Sequence, residues 1–402
     1  MHRPKTRSIS TQDIRRDNRS LVLNLLRRHT LMSRVELARI AGLTEPAISR
    51  ITRELVDAGL IAERSLAADG RPGRPMVSLG LRGEGLFVLG MDIGANSQSL
   101  CLADLCGEVV ARQDLNLLSF DNPEAALEYG ADRARDMLRT AGLEPGRLAG
   151  IGIGIAGAVD RSNRILLQAP TLGWENLPVA DIFESALSVP ACVEGRPRAI
   201  LHAEHTIGIA QQKNNVLLIH LGLGVGVALM IDRRMLRGAS NSAGQIGHLK
   251  VDAAGSQCTC GEFGCLNTVA SGYAVLSQLG MAITSAQPDD ARVGNVWLLK
   301  HAAAMAYAND IAAVRIFRSA GEWLGRTLSQ LTPIFDPELV ILAGAMAQIP
   351  SYVEGVRNNF HLARELPLSI STMTLEQAAV CLALDAFVFD PRLDFGRFAG
   401  LA

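Results

Sequence analysis

The chain has 402 residues, 48% of them apolar and only 4% aromatic, with 38 glycines and a formal net charge of −1. That length exceeds one ordinary core and implies two or three domains, and the glycine-rich, aromatic-poor composition favours an α/β protein over a β-sandwich. The charge is unevenly placed: residues 1–80 hold 15 Lys and Arg against 8 Asp and Glu, a net of +7, and the remainder holds 24 against 32, a net of −8, so only the head suits a polyanion.

The N-terminus is basic and polar and lacks the apolar stretch of a signal peptide, so a cytoplasmic protein is expected. The first dozen residues read as a basic arm. Residues 20–28 then read as a helix with Leu21, Val22, Leu25 and Leu26 on one face. Ser33 is a candidate N-cap for a second helix through Ala41, with Glu36 completing a capping box, and Gly42 ends it. Thr44 caps a third helix to about Ala58, with Pro46 tolerated in its first turn.

Two helices joined by a tight Gly turn make a helix-turn-helix, and Leu37, Ala38, Leu43, Ile48 and Ile51 have the spacing that fixes their crossing. The third helix then projects Thr44, Glu45, Ala47, Ser49, Arg50 and Arg53 outward, and Arg50 and Arg53 can reach base edges or phosphates of double-stranded DNA. Arg34, opening the second helix, joins this candidate DNA-binding set. Residues 60–64 and 76–79 read as paired strands around Gly70-Arg71-Pro72-Gly73-Arg74-Pro75, a wing whose Arg71 and Arg74 can enter a narrow minor groove. The plain alternatives are a helical hairpin from any bundle and a solvated loop.

Beyond residue 86, strands ending in Gly turns (residues 87–94, 151–157, 339–344) alternate with helices such as residues 123–140, which indicates α/β lobes with a cleft. Residues 217–231 resemble a hairpin that admits a ligand closely; the apolar run there carries His220 and three glycines and is short for a membrane span. Gly152-x-Gly154-x-x-Gly157 is a weak dinucleotide-type match without the acidic partner expected about 20 residues on, and is discounted. Seven cysteines is an odd number, and Cys258-x-Cys260-x4-Cys265 offers three soft ligands on one loop, which argues for reduced thiols and a metal. Structural zinc wants four N or S ligands, and His248 upstream can supply the fourth. An unmetallated loop or a redox switch are the alternatives.

Residues 87–347 resemble the repressor, open-reading-frame, kinase (ROK) family. The resemblance rests on Met91-Asp92-Ile93-Gly94, residues 152–160, Leu172-Gly173-Trp174-Glu175-Asn176-Leu177-Pro178, Gly238-Ala239, residues 243–248, residues 258–266 and residues 335–340. With the winged head, the chain is similar to the family's regulator branch. The resemblance implies a winged helix-turn-helix (residues 1–80) before a two-lobed actin-like ATPase fold. The first lobe would span residues 86–196 with a returning helix at about 375–402, and the second, residues 197–374, would carry the zinc loop and an oligomerisation surface. It gives His248, Cys258, Cys260 and Cys265 the role of structural zinc ligands, sets the outer nitrogen of His248 toward a sugar hydroxyl, and implies a homodimer or homotetramer.

The resemblance also exposes departures. Family kinases place a catalytic Asp after an Asn following a Pro-x-x-Val strand; here Pro190-Ala191-Cys192-Val193-Glu194 runs into Gly195 and Arg196, and a guanidinium cannot accept a proton. The phosphate turn reads Asp92-Ile93-Gly94-Ala95-Asn96, a second reads Gly222-Leu223-Gly224, and two sugar-gripping glutamates stand as Gln245 and Asn267. Asp92 is expected to be a strand-end turn residue. The expected ligand site is Gly157, Gly195, Arg196, Gln245, His248 and Asn267, taking a sugar effector. An acidic sugar derivative is a further expectation if Arg196 is free, the alternative being that it pairs with an internal acid such as Glu194 or Glu204, or points to solvent. A regulator without phosphotransfer is the leading reading, against an active kinase fused to a DNA-binding head and a DNA-binding protein with a vestigial cleft.

Overall fold

The computed structural model describes residues 11–65, 77–95, 97–281, 288–361, 365–391 and 393. Helix α1 (Thr11–His29) opens the described head and is longer than the sequence pattern implies; the basic arm expected over the first dozen residues lies, up to residue 10, outside the described residues. Its buried stripe is Val22, Leu23, Leu25 and Leu26, while Leu21 is 38% exposed, so the predicted face is rotated toward Leu23. Next come β1 (Met32–Ser33), α2 (Arg34–Ala41) and α3 (Glu45–Asp57). The Ser33/Glu36 capping box is present, and Gly42 ends α2 at φ +67°, a conformation that side chains with a Cβ adopt rarely. Thr44 stands at the N-cap of α3 without a side-chain bond, and Pro46 sits in the first turn. Strands β2 (Ile61–Ser65) and β3 (Val77–Leu81) pair antiparallel, and β1, absent from the sequence reading, adds to the far edge of β3.

The first lobe contains β4 (Phe87–Ile93), β5 (Gln98–Asp104), β6 (Val109–Asp114), α4 (Pro123–Thr140) and β7 (Leu148–Ile155). A small sheet of β8 (Ala158–Val159), β9 (Leu166–Ala169) and β10 (Trp174–Leu177) precedes α5 (Val179–Leu187), β11 (Ala191–Gly195) and α6 (Arg196–Thr206). The second lobe holds β12 (Val216–Leu221), β13 (Val225–Ile231), β14 (Arg234–Met235), α7 (Asn267–Ala270), α8 (Gly272–Gln278), α9 (Pro288–Tyr307), α10 (Ile311–Phe335), β15 (Leu339–Ala343), α11 (Pro350–Asn359) and β16 (Leu368–Ile370). Helix α12 (Leu375–Phe387) closes the described chain.

The two large sheets repeat one design. Their orders are β11-β7-β4-β5-β6 and β14-β13-β12-β15-β16, each an antiparallel meander extended by parallel strands on the other side. Helices α6 and α12 lie between them. Ala199, Ile200, Leu201, Ala203, Ala378, Cys381 and Leu382 share a core with the second sheet, while Val380, Ala383 and Leu384 share one with the first.

The core shared with the first sheet also contains the head. Val22, Leu26, Leu37, Ile48, Leu55 and Leu79 join Val88, Cys101, Ala149, Val380, Leu384 and Phe389 in one cluster. The described head, residues 11–65 and 77–81, is therefore not a bead on a linker. Helix α12 lies close on the first sheet because that sheet is shaved by glycine: a Cβ on Gly152 would lie 2.2 Å from the Ala379 carbonyl oxygen and 2.8 Å from the Ala383 nitrogen. Gly152→Ala should push α12 off the sheet and lower stability by about 1–3 kcal/mol, the usual range for overpacking. An unchanged melting temperature would contradict this packing.

Candidate DNA interface, cleft and metal cluster

On α3, Ile48, Ile51, Thr52 and Leu55 turn inward and are buried. Thr44, Glu45, Arg50 and Arg53 are exposed, and Ala47 and Ser49 are half-buried at the edge of the same face. Arg34 is tied within the head: its Nε donates to Thr52 Oγ1 at 3.2 Å and one Nη to Glu63 at 2.6 Å. That orients α2 against α3 and β2, a structural duty the sequence did not signal. Arg71 and Arg74 lie outside the described residues.

Gly157, Gly195 and Arg196 meet at the carboxyl ends of β7 and β11, where open α/β sheets bind ligands. A Cβ on Gly195 would lie 3.0 Å from the Gly157 carbonyl oxygen. Arg196 opens α6 and turns back over the end of β4. Its Nε and one Nη donate to the two carboxylate oxygens of Asp92, each at 2.7 Å, and the same Nη reaches the Ser97 carbonyl and hydroxyl at 3.0 Å. Ser97 Oγ completes the set, donating to Asp92 at 2.6 Å. The pair is deeply buried, Asp92 at 0% and Arg196 at 5% exposure. Burial pushes the Asp92 carboxyl upward, and the Arg196 charge and hydrogen bonds pull it back.

Two expectations are refined here. Asp92 is more than a turn residue, and Arg196 does pair with an internal acid, as the alternative held, but that acid is Asp92 rather than Glu194 or Glu204. A buried guanidinium needs a partner, and the Asp92 carboxylate supplies both oxygens in fork geometry. The reading of an acidic effector loses the free cation on which it rested.

Glu194 is committed elsewhere. It accepts from Arg198 at 2.7 Å, from Arg237 at 2.6 Å and from Asn163 at 3.0 Å. Burial raises its carboxyl, but the two arginines and Asn163 outweigh that and leave it below the usual carboxylate range. Arg237 and Asn241 come from the second lobe; Arg198 donates to the Asn241 carbonyl at 3.0 Å, and Asn241 donates to the Val159 carbonyl. This buried polar network spans the cleft floor. His220, half-buried at the end of β12, is pushed down to about 4 by burial and then by the nearby Arg196 charge, so it is neutral at neutral pH.

In the second lobe, Gln245 and His248 lie at the short turn after residue 244 and are exposed. Asn267 opens α7 half-buried, with its Oδ1 accepting from the Val225 N–H at 2.9 Å, which leaves its amide nitrogen as the free end.

His248, Cys258, Cys260 and Cys265 converge, with all four ligand atoms within 4.8 Å of one another. Cys260 and Cys265 sulfurs are 3.7 Å apart, and His248 Nδ1 lies 3.6 Å from the Cys258 sulfur. A tetrahedron with metal–sulfur bonds of about 2.3 Å has edges near 3.8 Å, so the donor set fits a four-coordinate ion. Gly264 folds the loop at φ +70°, and a Cβ there would lie 1.8 Å from the Asp252 carbonyl oxygen. Because Nδ1 faces the sulfurs, Nε2 is the outer nitrogen of His248.

No helix among the described residues is long and apolar enough to cross a membrane. The winged helix-turn-helix DNA-binding pattern matches residues 15–62. The chain is 25% identical over 391 residues to a xylose repressor of Caldicellulosiruptor bescii, covering 95% of this chain and 98% of that one. It is 26% identical over 337 residues to the DNA-binding transcriptional dual regulator NagC of Escherichia coli, covering 82% and 81%. A solved ROK family transcriptional regulator, described as a homolog of the E. coli MLC protein, superposes with a TM-score of 0.78 at 28% identity over 96% of this chain and all of that one. A ROK family glucokinase from Streptomyces griseus gives a TM-score of 0.62 at 25% identity over 75% and 99%. With its body matched from residue 88 to residue 378, the chain belongs to the ROK family, in a form that carries a winged helix-turn-helix at its head.

Proposed function

We propose that the protein is a DNA-binding transcriptional regulator, a repressor, that senses a sugar in a former kinase cleft and transfers no phosphate. The observation that carries the loss of chemistry is the position of Arg196. A Cβ on Gly94 would lie 2.1 Å from its guanidinium carbon, so the side chain fills the turn that cradles phosphate in the family's kinases and takes both oxygens of Asp92. No carboxylate stands where Arg196 does to accept a sugar proton. The effector is a sugar rather than specifically an acid, in keeping with relatives named for xylose and N-acetylglucosamine.

We assign zinc to His248, Cys258, Cys260 and Cys265, as a structural ion, since four protein ligands leave no position open for water. It would hold His248 Nε2 toward the effector, with Gln245, Asn267, Gly157 and Gly195 completing the site. On this reading the protein works in the cytoplasm as a homodimer or homotetramer on double-stranded DNA.

In this assignment α3 enters the major groove and Arg71 and Arg74 the minor groove, while Arg34 orients the head. Arg50→Ala should cost about 1–3 kcal/mol of operator binding and relax the base preference at one position. The test is recovery of genomic DNA by the whole chain, followed by binding of the recovered site and by incubation with ATP and a panel of sugars. A discrete site bound in the nanomolar range with no sugar phosphate formed is the expected result. Sugar-dependent ATP turnover would overturn the loss of phosphotransfer, and no site preference would overturn the regulator.

A further inference from the structure

Where the head meets the body, a polar node is set into an otherwise apolar interface. Arg27 of α1 makes an ion pair with Asp385 of α12, reaches the Cys381 sulfur at 3.5 Å, and lies over the Phe389 ring with its guanidinium carbon 4.4 Å from the centroid. Ser20 and Asn24, on the same helix, donate to the Phe389 carbonyl at 2.5 and 3.1 Å. The second oxygen of Asp385 faces α6: His202 Nε2 approaches it at 2.5 Å, and the Thr206 hydroxyl, shared with the His202 carbonyl at 2.9 Å, lies 3.1 Å from it. Burial raises the Asp385 carboxyl, but His202 and Arg27 outweigh it and hold it down at about 2, so it is ionised and His202 Nε2 donates.

Helix α6 therefore has two committed ends. Its first residue is Arg196, locked on Asp92 in the cleft, and its last turns bind the carboxylate that holds the head. Between them its apolar face packs on the second lobe's sheet, and a Cβ on Gly226 of β13 would lie 2.8 Å from the Pro197 ring. A helix of this length is rigid, so a shift at one end displaces the other.

We propose that Asp385 is the positioning residue for DNA binding, holding α1 through Arg27 and held in turn by α6, so that α6 carries the state of the cleft to the head. This rests on the cleft being the sensor. It requires no contact between effector and head, only two arrangements of one helix between two bound ends.

The test uses the full chain in two variants and their combination. Asp385→Asn removes the charge at the node. Asp92→Leu with Arg196→Met removes the cleft pair from the other end of α6. Hydrogen exchange of the α1 amides is followed without DNA, alongside affinity for the operator recovered above. Asp385→Asn should speed α1 exchange about tenfold while the β4–β7 amides stay unchanged, and should weaken operator binding about fivefold or more without altering base preference. The cleft variant should shift α1 exchange in the Asp385 chain and leave it unmoved in the Asp385→Asn chain. An equal response in both backgrounds would overturn the coupling, as would α1 exchange within twofold of the parent in Asp385→Asn. Should Asp385→Asn fail to fold, Thr206→Val with His202→Gln removes only the α6 side of the node and should abolish the same response. Loss of DNA recognition by the parent chain would count against the regulator, while the exchange data would still decide the coupling.

Discussion

Arg196→Met should lower the unfolding free energy by about 3–5 kcal/mol, the cost of leaving one partner of a buried ion pair alone. The stranded group is Asp92, fully buried and bonded otherwise only to Ser97 among the contacts described. With the guanidinium gone, burial is the dominant influence on that carboxyl, and it raises the folded-state value above that of the unfolded chain. The sign of the pH dependence follows. At neutral pH the charged carboxylate penalises the folded variant, and protonation relieves it as pH falls through the raised folded value toward about 3.9, the unfolded one. The difference between parent and variant should shrink over that window in urea unfolding. Asp92→Leu with Arg196→Met should recover most of the loss, since replacing both partners with apolar groups is often neutral or stabilising. A single variant as stable as the parent, or a double variant worse than the single, would show that the pair is not the buried unit described.

Cys265→Ser should remove the metal and cost several kcal/mol. Structural zinc supplies about 10–16 kcal/mol in isolated finger peptides, and here packing around the loop shares that role. Cys265 is fully buried and its backbone bridges to Lys250, so a slack loop would loosen the segment after His248 as well. Metal analysis should find about one zinc per parent chain and none in the variant, and a strong chelator applied to the parent should reproduce the lowered melting temperature. Effector response should fall in parallel, because the proposed sites use His248 for both the zinc and the effector. Metal-free protein that melts and responds as the parent does would rule the zinc assignment out.

Local chemistry was readable from the chain; long-range pairing was not. The Ser33/Glu36 capping box, the Gly42 turn and the Cys258-x-Cys260-x4-Cys265 loop are each closed within a dozen residues; the first two stand as expected, and the loop gathers its three sulfurs with His248. The Arg196–Asp92 pair joins residues 104 positions apart, and an acid at Glu194, two residues away in sequence, looked the nearer partner. Glu194 was already engaged by Arg198 and, from the other lobe, Arg237, and no sequence pattern carries that competition. The exposure of Leu21 in place of Leu23 has a similar origin: α1 faces both the head and the carboxyl-terminal segment, and a helical period alone cannot weigh two neighbours. The fusion of head and body cores was equally hidden, because Val380 and Leu384 read as buried whichever sheet they cover.

That fusion bears on how a symmetric assembly would measure DNA. Were the head on a flexible tether, each copy could swing to find its half of a palindrome, and the distance between halves would matter little. With Leu26, Leu37 and Leu55 packed into the same cluster as Val88 and Phe389, the head is aimed by the body. In a dimer such as the one proposed, half-sites would then have to fall on the same face of the duplex, one turn of about 10–10.5 base pairs or a multiple apart. Each added base pair turns one half away by about 34–36°, beyond what a packed core can follow. In a dimer the body would then act as a ruler for operator phasing, and a rotation between copies would move both heads relative to their half-sites together.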